Sequence, residues 1–323
     1  MPIIEVKNLS KTYTTFKKEA GLLASVKSLF KREKIEVPAV KGVSFNIDEG
    51  ELVGFLGPNG AGKTTTLKML SGILYPSGGE AKVMGYTPWE RKPEYQKKFS
   101  LVMGQKAQLW WDLPAEDSFV LNKEIYEVSD KDYKKTRDEL VELLSVRDLI
   151  NTPVRKLSLG ERMKCELVAA LLHNPKVIYL DEPTIGLDVL SQQKMWEFIK
   201  HYNETRKTTI MLTSHYMKDV EKLCKRVIVI NDGKIVYDGA LAEIIKKYAD
   251  YKLIKITFEK KTDLTDITPF GEIIESDDAY ATLRVPKTEV AKRVSAILSK
   301  LPVNDILVEE VPIEDVIRRM FAA

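Results

Sequence analysis

Two short stretches of this sequence carry side chains whose types and spacing suit chemistry on a phosphate. The first is Gly57-Pro58-Asn59-Gly60-Ala61-Gly62-Lys63-Thr64-Thr65. Its glycines allow backbone N–H groups to converge on phosphate oxygens without a Cβ in the way. Lys63 brings a positive charge to β- and γ-phosphates, and Thr64 offers a hydroxyl to Mg²⁺. The second is Asp181-Glu182, at the end of the apolar run Val177 to Leu180. Asp181 is placed to hold Mg²⁺ through its water shell. Glu182, off the metal, is placed to orient or deprotonate an attacking water. Each stretch has a plainer reading, a glycine-rich turn and a solvated acidic turn. Their joint presence favours one nucleotide site.

Such residues need a sheet edge to stand on. Apolar runs bounded by Gly, Asp and Pro occur at Leu52 to Leu56, Val177 to Leu180, Thr209 to Thr213 and Val227 to Ile230. They alternate with amphipathic segments of helical length, the pattern of a mostly parallel sheet covered by helices. The phosphate loop follows one run and precedes a helix at Thr64 to Leu70, so a helix N-terminus faces the phosphates. Between about Arg91 and Leu157 strand signals thin out. Lys131 to Leu144 then shows Leu140, Leu143 and Leu144 on one helical face, which predicts an inserted helical subdomain over about 91–162. After Tyr248 the pattern restarts. Strands at Tyr251 to Phe258, Ala281 to Val285 and Ile306 to Val311, with helices at Glu289 to Leu301 and Glu314 to Phe321, predict a small α+β domain over 249–323.

Composition narrows the function class. The 323 residues hold 50 Lys and Arg against 47 Asp and Glu, which leaves no global basic field for nucleic acid. Cys165 and Cys224 fall inside helix-like patterns and read as packing residues in a reducing compartment. Met1 to Val6 reads as a first strand rather than a secretory signal. No apolar run approaches the ~20 residues a bilayer-crossing helix needs, so a membrane role is expected to come through a partner chain.

With these residues in view, the sequence resembles the ATP-binding cassette (ABC) ATPases from Met1 to about Tyr248. The fold implied is that of a phosphate-loop NTPase with a mixed, mainly parallel sheet. Leu157-Ser158-Leu159-Gly160-Glu161-Arg162 is similar to the family's signature motif, with Leu159 and Glu161 in place of the usual Gly and Gln. The resemblance implies that Ser158 and Gly160, with Glu161 beside them, meet the γ-phosphate of ATP held by a second cassette. A helix N-terminus there suits an anion, and a plain helix cap is the bland alternative. Gln105 matches the glutamine that senses Mg²⁺ and the γ-phosphate, with Gln108 as its rival. Asp188, in Ile185-Gly186-Leu187-Asp188, matches the loop that crosses the dimer interface. His215 matches the switch histidine, whereas His173 and His201 read as structural. Tyr13 matches the aromatic that stacks on adenine.

The resemblance therefore implies a nucleotide site of Tyr13, Gly57 to Thr65, Gln105, Ser158, Gly160, Glu161 and Asp188. Lys63, Gln105, Glu182 and His215 would be catalytic, and Thr64, Gln105 and Asp181 would hold Mg²⁺. ATP and Mg²⁺ are the expected cofactors. Expected partners are a second cassette, in a homodimer or heterodimer, and separate transmembrane permease subunits, with no nucleic acid. The expected location is cytoplasmic, on the inner face of the cell membrane. The run Gln108-Leu109-Trp110-Trp111-Asp112-Leu113-Pro114, Leu159-Gly160-Glu161-Arg162-Met163, and the segment Pro312 to Ile317 look most like type-2 exporter subunits. A soluble cassette acting on ribosomes or DNA is the alternative. Trp110-Trp111 reads as packing or as a knob for a partner.

One segment stands apart. Thr14 to Pro38 reads as an insertion that interrupts the sheet, with Leu22, Leu23, Val26, Leu29 and Phe30 at helical spacing beside Lys27, Lys31, Arg32 and Lys34. An amphipathic helix over Leu22 to Lys34 is expected, lying on a partner or lipid headgroups, or else packed on the cassette itself.

Overall fold

The computed structural model describes residues 1–16, 34–104, 106–214 and 216–322. These form two compact units, Met1–Gly239 and Ala240–Ala323.

In the first unit, β1 (Pro2–Phe16) pairs antiparallel with β2 (Lys34–Asp48). The chain then enters β3 (Leu52–Leu56), α1 (Lys63–Leu70), β4 (Gly78–Val83) and β5 (Phe99–Met103). Two helices follow, α2 (Ala115–Ile125) and α3 (Asp130–Leu143), and then α4 (Leu159–Leu171) and β6 (Val177–Asp181). The unit closes with α5 (Val189–Arg206), β7 (Thr209–Thr213), α6 (Met217–Leu223), β8 (Arg226–Asn231) and β9 (Lys234–Ala240). The main sheet has the order β5-β6-β7-β3-β8-β9, and the register is parallel from β5 through β8. β3, β6, β7 and β8 are buried along nearly their whole length, which explains their unbroken apolar runs. A two-residue turn, Asp232-Gly233, with both residues at positive φ, folds β9 back beside β8. The smaller sheet, β2-β1-β4, is antiparallel, and its Ile4, Val6, Phe45 and Ile47 share a core with Phe55, Leu67 and Met69.

Two sequence expectations change here. Thr14, Thr15 and Phe16 continue β1 and pair with Glu36, Ile35 and Lys34 of β2, so the ends of the 14–38 segment extend the ladder instead of interrupting it. Lys34 is extended, not helical, while the rest of the expected amphipathic helix lies outside the described residues. Within 91–162, Phe99–Met103 is a strand of the main sheet; its alternating burial at the sheet edge lacks the continuous apolar run of its neighbours. The helical part is α2 and α3, joined where Tyr133 and Arg137 donate to Glu116 Oε1 at 3.1 and 2.6 Å. Ser129 caps α3 by accepting from Asp132 N–H.

His173, after α4, is structural. Its ring stacks on Tyr126 at 3.7 Å and Nε2 lies 3.2 Å from the Phe99 carbonyl. Burial pulls its pKa down to about 4, with the Phe99 contact opposing. An unfolded chain takes up this proton near pH 6.5, so the stability from neutral His173 is full above that pH and lost as pH falls toward 4. The window corresponds to about 3 kcal/mol at 1.36 kcal/mol per pH unit. Thermal melts from pH 7 to 4.5 should show His173→Gln losing less stability than the parent. Parallel losses would remove His173 as the cause.

The second unit begins with α7 (Leu241–Tyr248), a helix that the sequence reading assigned to the first domain. β10 (Tyr251–Phe258), β11 (Glu272–Ser276), β12 (Tyr280–Pro286) and β13 (Val303–Glu310) form an antiparallel sheet of order β11-β12-β10-β13. Ile297 of α8 (Val290–Lys300) packs with Ile254, Ile256, Phe270 and Leu283. α7 packs on α9 (Ile313–Ala322). The unit is a small α+β domain, as expected.

Candidate active site

β3, β6 and β7 run parallel, so their C-terminal ends open on one edge of the sheet. Register sets the height of each residue there. Asp181 pairs with Thr213 on one side and Met103 on the other.

The loop after β3 is pressed against the sheet. A Cβ on Gly57 would lie 2.2 Å from the Ile230 carbonyl oxygen, so only glycine fits. Lys63 opens α1 and is 6% exposed, with Nζ donating to the carbonyls of Gly57 at 2.7 Å and Pro58 at 3.1 Å. Burial lowers its pKa, while the charges of Glu182 and Asp181 oppose that shift. The loop thus holds a cation under its own backbone, which suits neutralising phosphate oxygens.

Next to it, Thr64 Oγ1 donates to Asp181 Oδ2 at 2.9 Å, and Thr213 Oγ1 to Asp181 Oδ1 at 2.6 Å. A threonine hydroxyl and one carboxylate side by side are hard oxygen donors of the kind Mg²⁺ prefers. Among the described residues no group of three or more His, Cys, Asp or Glu could cage a metal by itself.

Glu182 is buried and adopts a left-handed backbone, φ +58°. Its N–H donates to the Thr213 carbonyl at 3.0 Å. Its own carbonyl oxygen would be 2.1 Å from a Cβ on Gly104, so that glycine makes room for the turn. A non-glycine residue in this conformation costs about 1–3 kcal/mol and persists where surrounding contacts over-determine it, as at active sites. Tyr13, exposed, places its hydroxyl 3.5 Å from Thr65 Oγ1, and Lys11 Nζ stands 5.6 Å from its ring.

The Leu157 to Arg162 segment forms a capping box. Ser158 Oγ accepts from Glu161 N–H at 3.3 Å, and Glu161 Oε2 accepts from Ser158 N–H at 2.8 Å. These bonds lower the Glu161 carboxyl pKa. Ser158 is exposed at the start of α4, and Gly160 lies beside Ser191 and Leu187. Asp188 caps α5, accepting from Ser191 N–H at 3.0 Å and Ser191 Oγ at 2.6 Å, which lowers its pKa. The next two residues, Val189 and Leu190, are 76% and 72% exposed.

Residues 40–185 match the ABC transporter family, and residues 250–309 match the C-terminal domain of EvrA-like ABC transporters. The ABC transporter ATP-binding protein NatA of Bacillus subtilis is 36% identical over 215 residues, covering 67% of this chain and 87% of NatA. The chain belongs to the ABC transporter family. Nod factor export ATP-binding protein I of Burkholderia thailandensis is 33% identical over 237 residues, covering 73% of this chain and 77% of its own length. A solved dimeric ATP-binding cassette, in a post-hydrolysis state bound to ADP and Pi, aligns with a TM-score of 0.61 at 26% identity. The alignment covers 74% of this chain and 98% of that one. This cassette is thus an ATPase subunit of the transporter family.

Within the cassette, Gly57 to Thr65, Asp181 and Glu182 meet at one sheet edge, and Tyr13 reaches the loop's last residue. Ser158, Gly160, Glu161 and Asp188 gather at the N-termini of α4 and α5. Gln105 and His215 lie outside the described residues. Gln108, the rival glutamine, spends its Nε2 on the Leu101 carbonyl at 2.8 Å. Both cysteines are buried and unpaired with each other, and burial raises the Cys165 thiol pKa to about 12.

Sequence reading missed Thr213, whose hydroxyl orients Asp181, and Asp219. The latter is fully buried and accepts from Trp196 Nε1 at 2.7 Å and from the Thr184 and Ser214 hydroxyls. It joins the segments after β6 and β7 to α5. Its one sequence signal was a carboxylate on the buried face of a short helix.

Proposed function

We propose that the cassette drives export across a membrane by closing in pairs around MgATP, hydrolysing it, and passing the motion to separate membrane-spanning subunits. The observation that carries this reading is the surface at the starts of α4 and α5. There Gly160, two residues after the exposed Ser158 cap, lies beside Ser191, and just ahead of that serine Val189 and Leu190 are two large apolar side chains which a monomer would leave in water. A second copy covers such a surface and brings its phosphate loop to Ser158. The dimeric cassette with ADP and Pi supports the pairing, and the Nod factor export relative supports the direction. In this reading Thr64 and Asp181 hold Mg²⁺, which withdraws charge from the phosphates. Lys63 neutralises the β/γ-phosphates, and Glu182 takes the proton of the attacking water. Tyr13 stacks on adenine, and Gln105 and His215 meet the γ-phosphate.

Among the described residues no helix is long and apolar enough to cross a membrane, so partner chains supply the pore. Trp110, Trp111 and Leu113 are exposed together and form the docking face, placing the cassette on the cytoplasmic side of the membrane.

Complementation tests the pairing. Ser158→Arg and Lys63→Ala chains should each fail to occlude nucleotide alone. Mixed, they contain one intact site, built from the loop of the first and Ser158 of the second, and should occlude nucleotide there. Mixtures as inactive as the separate variants would show that Ser158 serves its own chain.

A further inference from the structure

The helix that starts at Ser158 carries a buried charge for which ATP chemistry has no use. Glu166, two turns along α4, is 1% exposed. A carboxylate in that position is costly unless fully paired, and here pairing is partial. Its Oε1 lies 3.4 Å from Gln108 N–H and 3.7 Å from Arg162 Nε. Oε2 and Arg162 Nε have no hydrogen-bond partner among the described residues. Burial raises its carboxyl pKa to about 7, against the pull of Gln108 and Arg162.

Arg162 and Glu166 are one helical turn apart and share a face. That face meets the loop between β5 and α2, which is fastened to the Ser158 segment on both sides of the serine. After Ser158, Gln108 N–H points at Glu166, and the Arg162 guanidinium stands 5.8 Å from the Trp111 ring. Before Ser158, the carbonyls of Trp111 and Leu113 accept the N–H groups of Arg155 at 2.9 Å and Val154 at 3.0 Å. The same loop exposes Trp110 and Trp111, each at 51%.

We propose that Glu166 is a positioning residue which, with Arg162, pins the 106–113 loop to α4, so that a partner displacing Trp110 and Trp111 also displaces Ser158. This rests on the reading of the tryptophan pair as the membrane partner's docking face. An apolar residue at 166 would pack more stably in one arrangement. Long contacts and an unmet oxygen instead give a joint that can break and re-form as the loop shifts.

The test compares ATP hydrolysis by the isolated cassette and by the cassette assembled with its co-purified membrane partner in lipid vesicles. Glu166→Leu keeps an apolar filling but removes the acceptor, and Glu166→Gln keeps an acceptor oxygen for Gln108. Both should leave isolated turnover and the KM for ATP within about twofold of the parent. Glu166→Leu should cut stimulation by the partner about threefold to tenfold, within the range by which residues between sites alter coupling. Glu166→Gln should restore most of it. Equal stimulation in the parent and Glu166→Leu overturns the proposal. So does an equal fall in the isolated and assembled forms, which would mark a merely structural role. If no membrane partner stimulates even the parent, the functional reading fails first, and this proposal with it.

Discussion

Glu182→Gln binds MgATP as the parent does, closes into a stable dimer, and hydrolyses at least ~100-fold more slowly, within the usual share of a general base. The side chains are nearly isosteric, and the left-handed backbone at 182 is held by the Thr213 carbonyl and the space over Gly104, neither of which the change touches. What changes is that an amide cannot take the proton of the attacking water. Removing one of the two carboxylates that favour the charged form of Lys63 does not strip the site of anionic balance, because Asp181 remains. Binding and turnover therefore separate. Phosphate release measures the second, and size-exclusion chromatography with ATP measures the trapped dimer. Turnover within about threefold of the parent would take the proton transfer away from Glu182.

Gly57→Ala produces the second large effect, through packing rather than proton transfer. The added Cβ would stand 2.2 Å from the Ile230 carbonyl oxygen, 3.0 Å from its Cγ2 and 3.1 Å from Ala61 Cβ. Ile230 is fully buried in β8, and its carbonyl belongs to strand backbone that cannot rotate aside like a flexible side chain. The loop must lift. Overpacking of this sort costs about 1–3 kcal/mol, or roughly 5 °C in a domain this size. The Gly57 carbonyl also anchors Lys63 Nζ at 2.7 Å, so the cation moves with it. ATP affinity should fall more than about tenfold, since several backbone N–H groups and a charge lose their alignment together. Calorimetry of unfolding and nucleotide titration check both parts. A variant with parental affinity would show that the loop tolerates displacement.

The parts of the site that were legible in the sequence are those fixed by local spacing. The phosphate loop and the helix cap at Ser158, read from the sequence as the plainer alternative, each lie within a few consecutive residues, where backbone geometry alone brings the groups together; the cap that Asp188 makes on α5 was not read there. The four buried strands were legible for a related reason: a central parallel strand is covered on both faces, so its apolar run is continuous. β5 and β11, with alternating or exposed patterns at sheet edges, lacked that signal. At Thr14 to Pro38, helical spacing in the middle drew attention from flanks that pair as strands. Pairing depends on a partner twenty residues away, and no local period reports it.

The sequence by itself carried the phosphate-loop pattern at Gly57 to Thr65 and the carboxylates Asp181-Glu182 from which nucleotide binding is expected, while the place of Ser158 with that site came from the family resemblance. Only the tertiary structure decided that Thr213 orients Asp181, that Gly104 makes room for Glu182, and that Asp219 ties the ends of two strands to α5. It alone set Glu166 against the loop bearing Trp111. The physical reason is common to all of these. Apart from the Ser214 to Asp219 bond, they are contacts across about 20 to 80 residues of chain, created by strand order, register and the burial of charge, and none of those is written in the spacing of neighbouring residues.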